Sequence, residues 1–360
     1  MRRCPTILIG LCLPLLAFNA GGAEEYSLKA QKSVKDGRIW LLKAQNKDGS
    51  WGMDHKSPTD VSATCLAGLA LLSSGDNERD GYDVETSLAL QKCVAFLLQR
   101  AKKARAGRDI AEGEAGEFQQ YVGQNVATYF ATLFLSQIYG MQGTHAAFSG
   151  DASADMKESL QKLTDTIALC QDNDGSWHKN TYASLQSTTM AWMALRSANS
   201  TGINIRHATV DKTLKFVRKQ FDPAQKLYQA RRGDGGGNVI YDTTSCLRIM
   251  YGSGLREEKE VVAAMDTLLS KLTASEWGHG FLTNTGEDYP AAFFLSHALV
   301  QEGGARWQKW HRFATDRFLK LQNKDGSWTA TSCLRGRTVP TACALLCLQT
   351  PLRVLPVQDL

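Results

Sequence analysis

Apolar and polar residues along this chain recur with the period of α-helices, and the predicted helices come in pairs. One helix of each pair has a polar face and the other is apolar nearly all round, which indicates a half-exposed helix followed by a buried one. Strand-like alternation is almost absent. The pattern predicts amphipathic helices near residues 27–45, 84–101, 154–171, 207–220, 256–272 and 305–322, and buried helices that begin near Pro58, Gln124, Ala183, Ile240, Asp288 and Thr338.

A heptapeptide ending in Asp-Gly-Ser-Trp occurs three times between the helices of a pair, at residues 45–51, 171–177 and 322–328. Asp-Gly predicts a turn, because Gly adopts the positive φ that ends a helix and Asp bonds to its own backbone. We expect the Trp to lie over the neighbouring helix ends and the Gln to bond to backbone groups left open there. The structural motif residues are Gln45, Gly49, Trp51, Gln171, Gly175, Trp177, Gln322, Gly326 and Trp328.

Six helix pairs predict a closed ring. The repeat length is about 56 residues, and small side chains fill the third and fourth places when the buried helices are aligned from Val61, Asn125, Leu185, Tyr241, Tyr289 and Val339. An open solenoid needs polar capping repeats, whereas here the first and last repeats carry the best copies of the motif. The sequence therefore predicts one all-α domain over residues 24–360, an (α/α)6 toroid with six inner and six outer helices.

The N-terminus predicts a signal peptide over residues 1–23. Arg2 and Arg3 precede an apolar stretch at residues 7–18, and Gly21, Gly22 and Ala23 form a small-residue cleavage site. We therefore expect export to the periplasm or the medium, with no membrane span in the mature chain. The formal net charge of +5 is spread along the sequence, so no nucleic-acid partner is expected.

Two stretches carry a resemblance to a known family. Residues 41–45 followed by 49–51, and residues 318–322 followed by 326–328, place a Gln shortly before Gly-x-Trp after an apolar helix end. This arrangement resembles the prenyltransferase and squalene oxidase repeat of terpene cyclases and protein prenyltransferases. The chain looks most similar to exported bacterial members of one-domain length. The resemblance implies an α/α toroid with an isoprenoid-binding central cavity.

The catalytic motifs of the resembled enzymes are missing. The sequence contains no Asp-x-Asp-Asp for alkene protonation and no Gly-Cys-Gly-Glu-Gln thioester motif. The nearest match to the zinc motif of prenyltransferases, Asp242 with Cys246, has the wrong spacing, and Val339 and Pro340 stand where a His would be expected. We therefore expect no metal site and no cofactor, and leave open whether the protein is an enzyme.

Carboxylates at the starts of the inner helices are the candidate acids. Asp242 is the foremost candidate, because no helix cap explains it. Asp60 and Asp288 could line a cavity, but each also completes a capping box, with Ser57 and Thr285 respectively, which explains them without a function. Asp288 is kept as a second catalytic candidate.

His297 and a group of aromatic residues are further candidates. His297 lies mid-helix, where it is either a general base facing the cavity or a core histidine satisfied by hydrogen bonds. Aromatic faces could line an apolar cavity and stabilise a carbocation, or simply pack in the core. The candidate ligand-binding residues are Tyr129, Tyr182, Tyr241, Tyr289 and Trp192.

Four functions remain open. The leading one is an exported toroid that binds an isoprenoid, a lipid or another apolar ligand in its centre, with peripheral membrane contact as an option. The alternatives are a cyclase- or transferase-like enzyme with non-standard acids, a glycan-processing enzyme, and a protein-interaction ring. The glycan alternative predicts two carboxylates about 5–9.5 Å apart across an open polar groove, so the lining of the centre discriminates between these functions.

Overall fold

A computed structural model describes residues 28–75, 82–114, 116–141, 152–178, 182–230, 238–274, 281–283, 285–352 and 355. The predicted signal peptide, residues 1–23, lies outside these ranges. Within them, none of the helices combines the length and the apolar composition needed to span a bilayer.

The described residues form thirteen α-helices and one two-stranded hairpin. The strands β1 (Phe221–Asp222) and β2 (Leu227–Tyr228) pair antiparallel between two helices. A short 3-10 helix, Thr350–Leu352, follows the last α-helix. The helices are α1 Leu28–Ala44, α2 Val61–Leu72, α3 Val84–Lys103, α4 Glu117–Tyr121, α5 Val126–Gly140, α6 Ala152–Leu169, α7 Ser184–Ser200, α8 His207–Arg218, α9 Val239–Gly252, α10 Lys259–Thr273, α11 Asp288–Glu302, α12 Gly304–Leu321 and α13 Thr338–Gln349.

Six of these helices form a closed inner ring. Each inner helix packs against the next in the order α2, α5, α7, α9, α11, α13, and α13 packs back against α2. The outer helices α1, α3, α6, α8, α10 and α12 surround them, and α12 packs against α1. The predicted all-α fold class, an (α/α)6 toroid, is confirmed.

Burial differs between the two rings as the sequence pattern predicts. Every residue of the inner helix α2 is buried, whereas the outer helix α1 buries only a stripe that includes Trp40, Leu41 and Ala44. An inner helix has protein on all sides, since its two ring neighbours flank it and an outer helix covers its back. The continuous apolar run of each inner helix follows from that position.

Within each repeat, the heptapeptide closes the outer helix. The indole Nε1 atoms of Trp51, Trp177 and Trp328 donate hydrogen bonds to backbone carbonyls near the ends of α1, α6 and α12, over 2.8, 2.9 and 2.8 Å. The motif glycines have φ values of 92°, 98° and 91°. The expected roles of the Trp and the Gly are confirmed.

Between repeats, the same heptapeptide joins neighbouring outer helices. The amide of Gln45 donates to the Ala89 carbonyl on α3, and that of Gln171 to the Thr209 carbonyl on α8, each over 2.9 Å. The third copy does the same to the first helix, because Gln322 donates to the Ser33 carbonyl on α1 over 2.9 Å. Each Gln also bonds to the carbonyl of its own motif glycine, so it spans two repeats.

A threonine near the start of five inner helices anchors the incoming loop. Thr64, Thr188 and Thr341 accept the backbone N–H of the motif tryptophan at Oγ1. Thr128 and Thr243 accept the N–H groups of Ile110 and Tyr228 in the repeats without a heptapeptide. Counted from the predicted starts, the anchoring threonine is the fourth residue in α2, α5 and α7 but the third in α9 and α13. The predicted alignment is therefore wrong by one residue for α9 and α13, because neighbouring small residues such as Thr243 and Thr244 cannot be told apart by sequence.

The two predicted capping boxes are also wrong. The segment before α2 forms a bridge between Gly52 and Thr59, so the helix begins at Val61 and Asp60 is its N-cap, accepting the Ala63 N–H over 2.9 Å. Helix α11 has no side-chain cap hydrogen bond. The capping explanation for Asp288 therefore does not hold.

Replacing Gly326 by Ala should break the junction that closes the ring. A Cβ at this position would lie 2.5 Å from the Asp36 carbonyl oxygen of α1, in addition to the strain of φ 91°. Gly107→Ala is the matched control, since Gly107 also has a positive φ but no atom lies within 4 Å of its Cβ position. In urea unfolding we expect the control to lose about 1–2 kcal/mol and Gly326→Ala about 3 kcal/mol or more. Equal losses would contradict the closing role.

Candidate functional site

A mostly apolar pocket lies between the N-terminal halves of α7, α9 and α11. Its cavity volume is about 20 Å³, close to the space that one water molecule needs, so a larger ligand must displace lining side chains. Side chains one helical turn apart form its walls, and loop residues complete it. The lining residues are Val122, Ala183, Gln186, Met190, Tyr241, Ser245, Glu287, Pro290, Ala291, Phe294 and Leu334.

A buried carboxyl group lies beside this pocket. The hydroxyl of Tyr241, a pocket-lining residue, donates to Oδ1 of Asp288 over 2.9 Å, and the Thr283 N–H donates to Oδ2 over 3.2 Å. Asp288 is 1% exposed. Burial raises the pKa of Asp288 to about 6, more than the hydrogen bonds from Thr283 and Tyr241 lower it. The structure thus holds a carboxyl that is partly protonated near neutral pH, in contact with a pocket-lining phenol.

The foremost predicted acid, Asp242, has a different set of contacts. Its Oδ2 accepts the Ala230 N–H over 2.9 Å, and its Oδ1 lies 3.5 Å from the Gln186 amide nitrogen. Asp242 is fully buried and is not among the pocket-lining residues. In this position its carboxyl group binds the backbone of Ala230, two residues after β2, and lies beside Gln186, which does line the pocket.

His297 lies deep in the core. It is fully buried, its ring is 4.3 Å from that of Phe293, and neither ring nitrogen has a hydrogen-bond partner among the described residues. Burial lowers the pKa of His297 well below its usual value, and the positive charge of Arg248 lowers it further. His297 is therefore a neutral core residue outside the pocket lining, and it is not satisfied by hydrogen bonds as the core alternative supposed.

The five candidate aromatic residues are not gathered around one cavity. Tyr241 lines the pocket, whereas Tyr182 is 47% exposed. Tyr129 is buried with its hydroxyl 3.4 Å from His178, and Tyr289 donates to the Thr329 carbonyl over 3.3 Å.

The fifth candidate, Trp192, is fully buried and lies between two guanidinium groups. Those of Arg196 and Arg248 are 5.9 and 5.7 Å from its ring. Such distances are typical of cation–π packing. Of the predicted aromatic lining, the structure thus brings only Tyr241 to the pocket.

A second carboxyl with a raised pKa caps α2. Burial, together with the charges of Glu114 and Glu117, outweighs the backbone hydrogen bonds and raises the pKa of Asp60 to about 6. Its Oδ1 caps the helix, while its Oδ2 is buried without a hydrogen-bond partner among the described residues. The described residues contain no group of three or more His, Cys, Asp or Glu side chains arranged to hold a metal ion.

Comparisons with known proteins agree on architecture. No protein-family model and no curated protein matches this chain. A type II terpene cyclase, MstE from Scytonema, in complex with geranylgeranyl dihydroxybenzoate, matches with a TM-score of 0.56 and 13% identity over 91% of this chain and 98% of its own. The GH76A α-1,6-mannanase of Salegentibacter, as an inactive variant with α-1,6-mannotriose, matches with a TM-score of 0.59 and 8% identity over 90% and 99%. The chain has the α/α toroid fold.

A third structural match is a protein from Actinoplanes, with a TM-score of 0.53 and 16% identity over 90% of this chain and 99% of its own. At these identities the likeness shows the fold of the toroid alone. Two enzyme classes share that fold, one acting on a prenylated substrate and one on a glycan, so the chemistry of this toroid must be argued from its own pocket.

Sequence reasoning missed most of the pocket lining. Met190, Ser245 and Phe294 each lie four residues after another lining residue, so the helical period alone could have grouped each pair on one face. Leu334 comes from an irregular loop, and no local sequence signal indicates that it is 1% exposed and contacts the pocket.

Replacing Asp60 by Asn should weaken the pH dependence of stability. The pKa of Asp60 is about 6 in the folded state against 3.8 unperturbed, so the folded state binds more protons between these values and gains stability as pH falls. Asn keeps the cap but cannot ionise. At pH 7.5 we expect Asp60→Asn to be more stable than wild type by about 1–3 kcal/mol, and the two to converge at pH 4.

The matched control is Asp83→Asn at the N-cap of α3. Hydrogen bonds with Thr86 and the charge of Arg38 outweigh partial burial and lower the pKa of Asp83, so its stabilising effect is present at neutral pH and is lost on acidification. The control variant should therefore be less stable than wild type at pH 7.5. Chemical unfolding at pH 4, 5, 6 and 7.5 measures both, and a destabilised Asp60→Asn at pH 7.5 would refute the buried-acid interpretation.

Proposed function

We propose that this toroid binds an apolar ligand of isoprenoid type in the pocket between α7, α9 and α11. The observation that carries the proposal is the lining itself, in which Met190, Ala291 and Phe294 supply apolar surface and few polar groups reach the space. Apolar walls favour a ligand that gains free energy by leaving water. The prenylated substrate of the terpene cyclase of like fold is consistent with this ligand class.

Three of the four polar lining residues, Gln186, Tyr241 and Glu287, lie at the N-terminal end of the pocket, and Ser245 lies one turn further along α9. Tyr241 and Glu287 lie at the starts of their helices, and Asp288 accepts the hydrogen bond of Tyr241. A ligand with an apolar tail and one hydroxyl or carbonyl group fits this arrangement, with the tail among Met190 and Phe294 and the polar end near Tyr241. Export through the predicted signal peptide, residues 1–23, is part of the proposal.

A second candidate function is protonation of the bound ligand. The supporting observation is that Asp288, with a pKa of about 6, contacts Tyr241 of the pocket lining. When Asp288 is protonated, its O–H would donate to the Tyr241 oxygen, the reverse of the hydrogen bond in the structure. In a concerted transfer, Tyr241 would then give its proton to the ligand and take the proton of Asp288, which would be left as the carboxylate. The glycan alternative has less support, because this pocket is apolar and not an open polar groove.

Two substitutions of Met190 test ligand binding. Met190→Trp fills the pocket and Met190→Ala enlarges it, and both perturb the same core position. With farnesol as the probe, isothermal titration calorimetry should show binding to wild type and to Met190→Ala, and a loss of at least about tenfold in affinity for Met190→Trp. Thermal unfolding checks that both variants fold.

The outcome that would refute the proposal is an absence of farnesol binding to wild type, or equal affinity in all three proteins. Binding of α-1,6-mannotriose with sensitivity to the same substitutions would support the glycan alternative instead. For the second candidate function, Asp288→Asn should retain farnesol binding and abolish any acid-dependent conversion of the probe detected by mass spectrometry.

A further inference from the structure

Leu334 reaches the pocket from a loop and not from a helix. We call residues 329–337, between α12 and α13, the mouth loop. Leu334 is 1% exposed and lines the pocket together with Tyr241 and Phe294. An apolar side chain of the protein itself therefore occupies space next to the surfaces that the proposed ligand would contact.

The backbone at this position is strained. Cys333 and Leu334 have φ values of 40° and 49°, two successive non-glycine residues in the left-handed region. Non-glycine residues are disfavoured in that region because their Cβ comes too close to the following carbonyl oxygen. Such strain persists only where surrounding contacts hold the chain, and it is concentrated at functional sites. The mouth loop is thus held in a conformation that places Leu334 in the pocket.

Backbone hydrogen bonds hold the mouth loop from both sides. Ala330 and Gly336 exchange two N–H to carbonyl bonds of 2.8 and 3.1 Å, and the Gly286 N–H donates to the Ser332 carbonyl over 2.8 Å. At the far end of the loop, the Arg337 N–H donates to the Met53 carbonyl over 2.9 Å. These bonds tie the loop to the segments before α2 and α11.

Charged contacts add a second set of restraints. The Arg335 N–H donates to Glu117 over 2.7 Å, and the Arg337 guanidinium contacts Asp54 at 2.7 Å and Asp325 at 3.1 Å. All of these side chains are partly exposed, and exposed ion pairs contribute little each. These charged contacts can be exchanged for water at small cost, so the backbone hydrogen bonds are the main restraint on the loop.

Gly286 lies directly against the strained tip. A Cβ at Gly286 would overlap the Cys333 carbonyl oxygen and lie 3.0 Å from the Leu334 Cβ. Any side chain at residue 286 must therefore displace the tip. Gly286 is not a pocket-lining residue, so its substitution can move Leu334 without replacing any side chain of the pocket lining.

We propose that Leu334 is a plug that occupies the subsite for the branched apolar end of the ligand, and that it must leave for that end to bind. The inference rests on the proposed function and names the feature of the ligand that the site selects. The side chain of Leu ends in a carbon bearing two methyl groups, as does the terminal unit of an isoprenoid, so the space that fits one fits the other. Release of the strain at Cys333 and Leu334 offsets part of the cost of displacement.

Leu334→Ala tests the plug directly. Removing the isobutyl group should tighten farnesol binding at least about fivefold and should leave a preference for farnesol over the unbranched alcohol dodecanol. The matched control is Leu282→Ala, because Leu282 is also fully buried with a φ of 52° but does not line the pocket. The control should lose stability without gaining affinity.

Gly286→Ala tests the same displacement with intact pocket walls. Gly286→Ala should tighten farnesol binding and speed association, as we expect for Leu334→Ala. The control is Gly140→Ala at the end of α5, where the nearest atom to an added Cβ is a flexible Thr201 side-chain methyl at 3.1 Å. Unchanged affinity in Gly286→Ala and Leu334→Ala would overturn the plug.

Alkylation of Cys333 reports the position of the loop. Cys333 and Cys170 are both partly buried, whereas the other described cysteines are fully buried. Farnesol should change the labelling rate of Cys333 in wild type and leave Cys170 as an unchanged internal reference. If wild type and Leu334→Ala bind farnesol equally and farnesol leaves the labelling rate of Cys333 unchanged, the plug proposal is refuted but the proposed ligand-binding pocket is not. If neither protein binds farnesol, the proposed function itself fails.

Discussion

The toroid depends on one junction, in which the last heptapeptide binds the first helix. Gln322 donates to the Ser33 carbonyl, and Gly326 allows the turn to approach the Asp36 carbonyl closely. These contacts join segments nearly three hundred residues apart in the sequence, so they close the ring, whereas contacts between consecutive repeats would only lengthen an open array. Without them the inner helices α2 and α13 would present apolar faces to water, which an open repeat array must cap with polar residues.

The anchoring threonines connect the closed ring to the candidate functional site, because they position the loops around it. By accepting backbone N–H groups from the incoming loops, they place the starts of the inner helices and their loops at one end of the barrel. The pocket and the buried carboxyl of Asp288 lie at that end, and the N-cap Asp60 starts a helix there. Burial then changes the chemistry of these side chains, because it raises the pKa of both carboxyls to about 6 and so lets each keep its proton to a higher pH than an exposed carboxyl.

Fold and pocket carry different information about function. The architecture is shared with a terpene cyclase and a mannanase, so it is compatible with apolar and with glycan ligands. The apolar lining around Met190 and Phe294 favours the first class, and the strained placement of Leu334 supplies an apolar group to the same space. Binding of a branched apolar ligand and displacement of the mouth loop are thus two parts of one proposal.

The sequence alone determined the paired helices, the repeat and the closed ring, because helical periodicity and the Asp-Gly-Ser-Trp turns are local properties that each segment carries by itself. Tertiary structure decided how α9 and α13 align with the other inner helices. It also decided that Asp60 is the N-cap of α2 and that Tyr241 is separated from the other candidate aromatic residues. It also decided that Asp288 contacts Tyr241 of the pocket lining while Asp242 binds the backbone of Ala230. Those outcomes depend on which side chains meet across the ring, and burial by distant segments is not encoded in any local pattern.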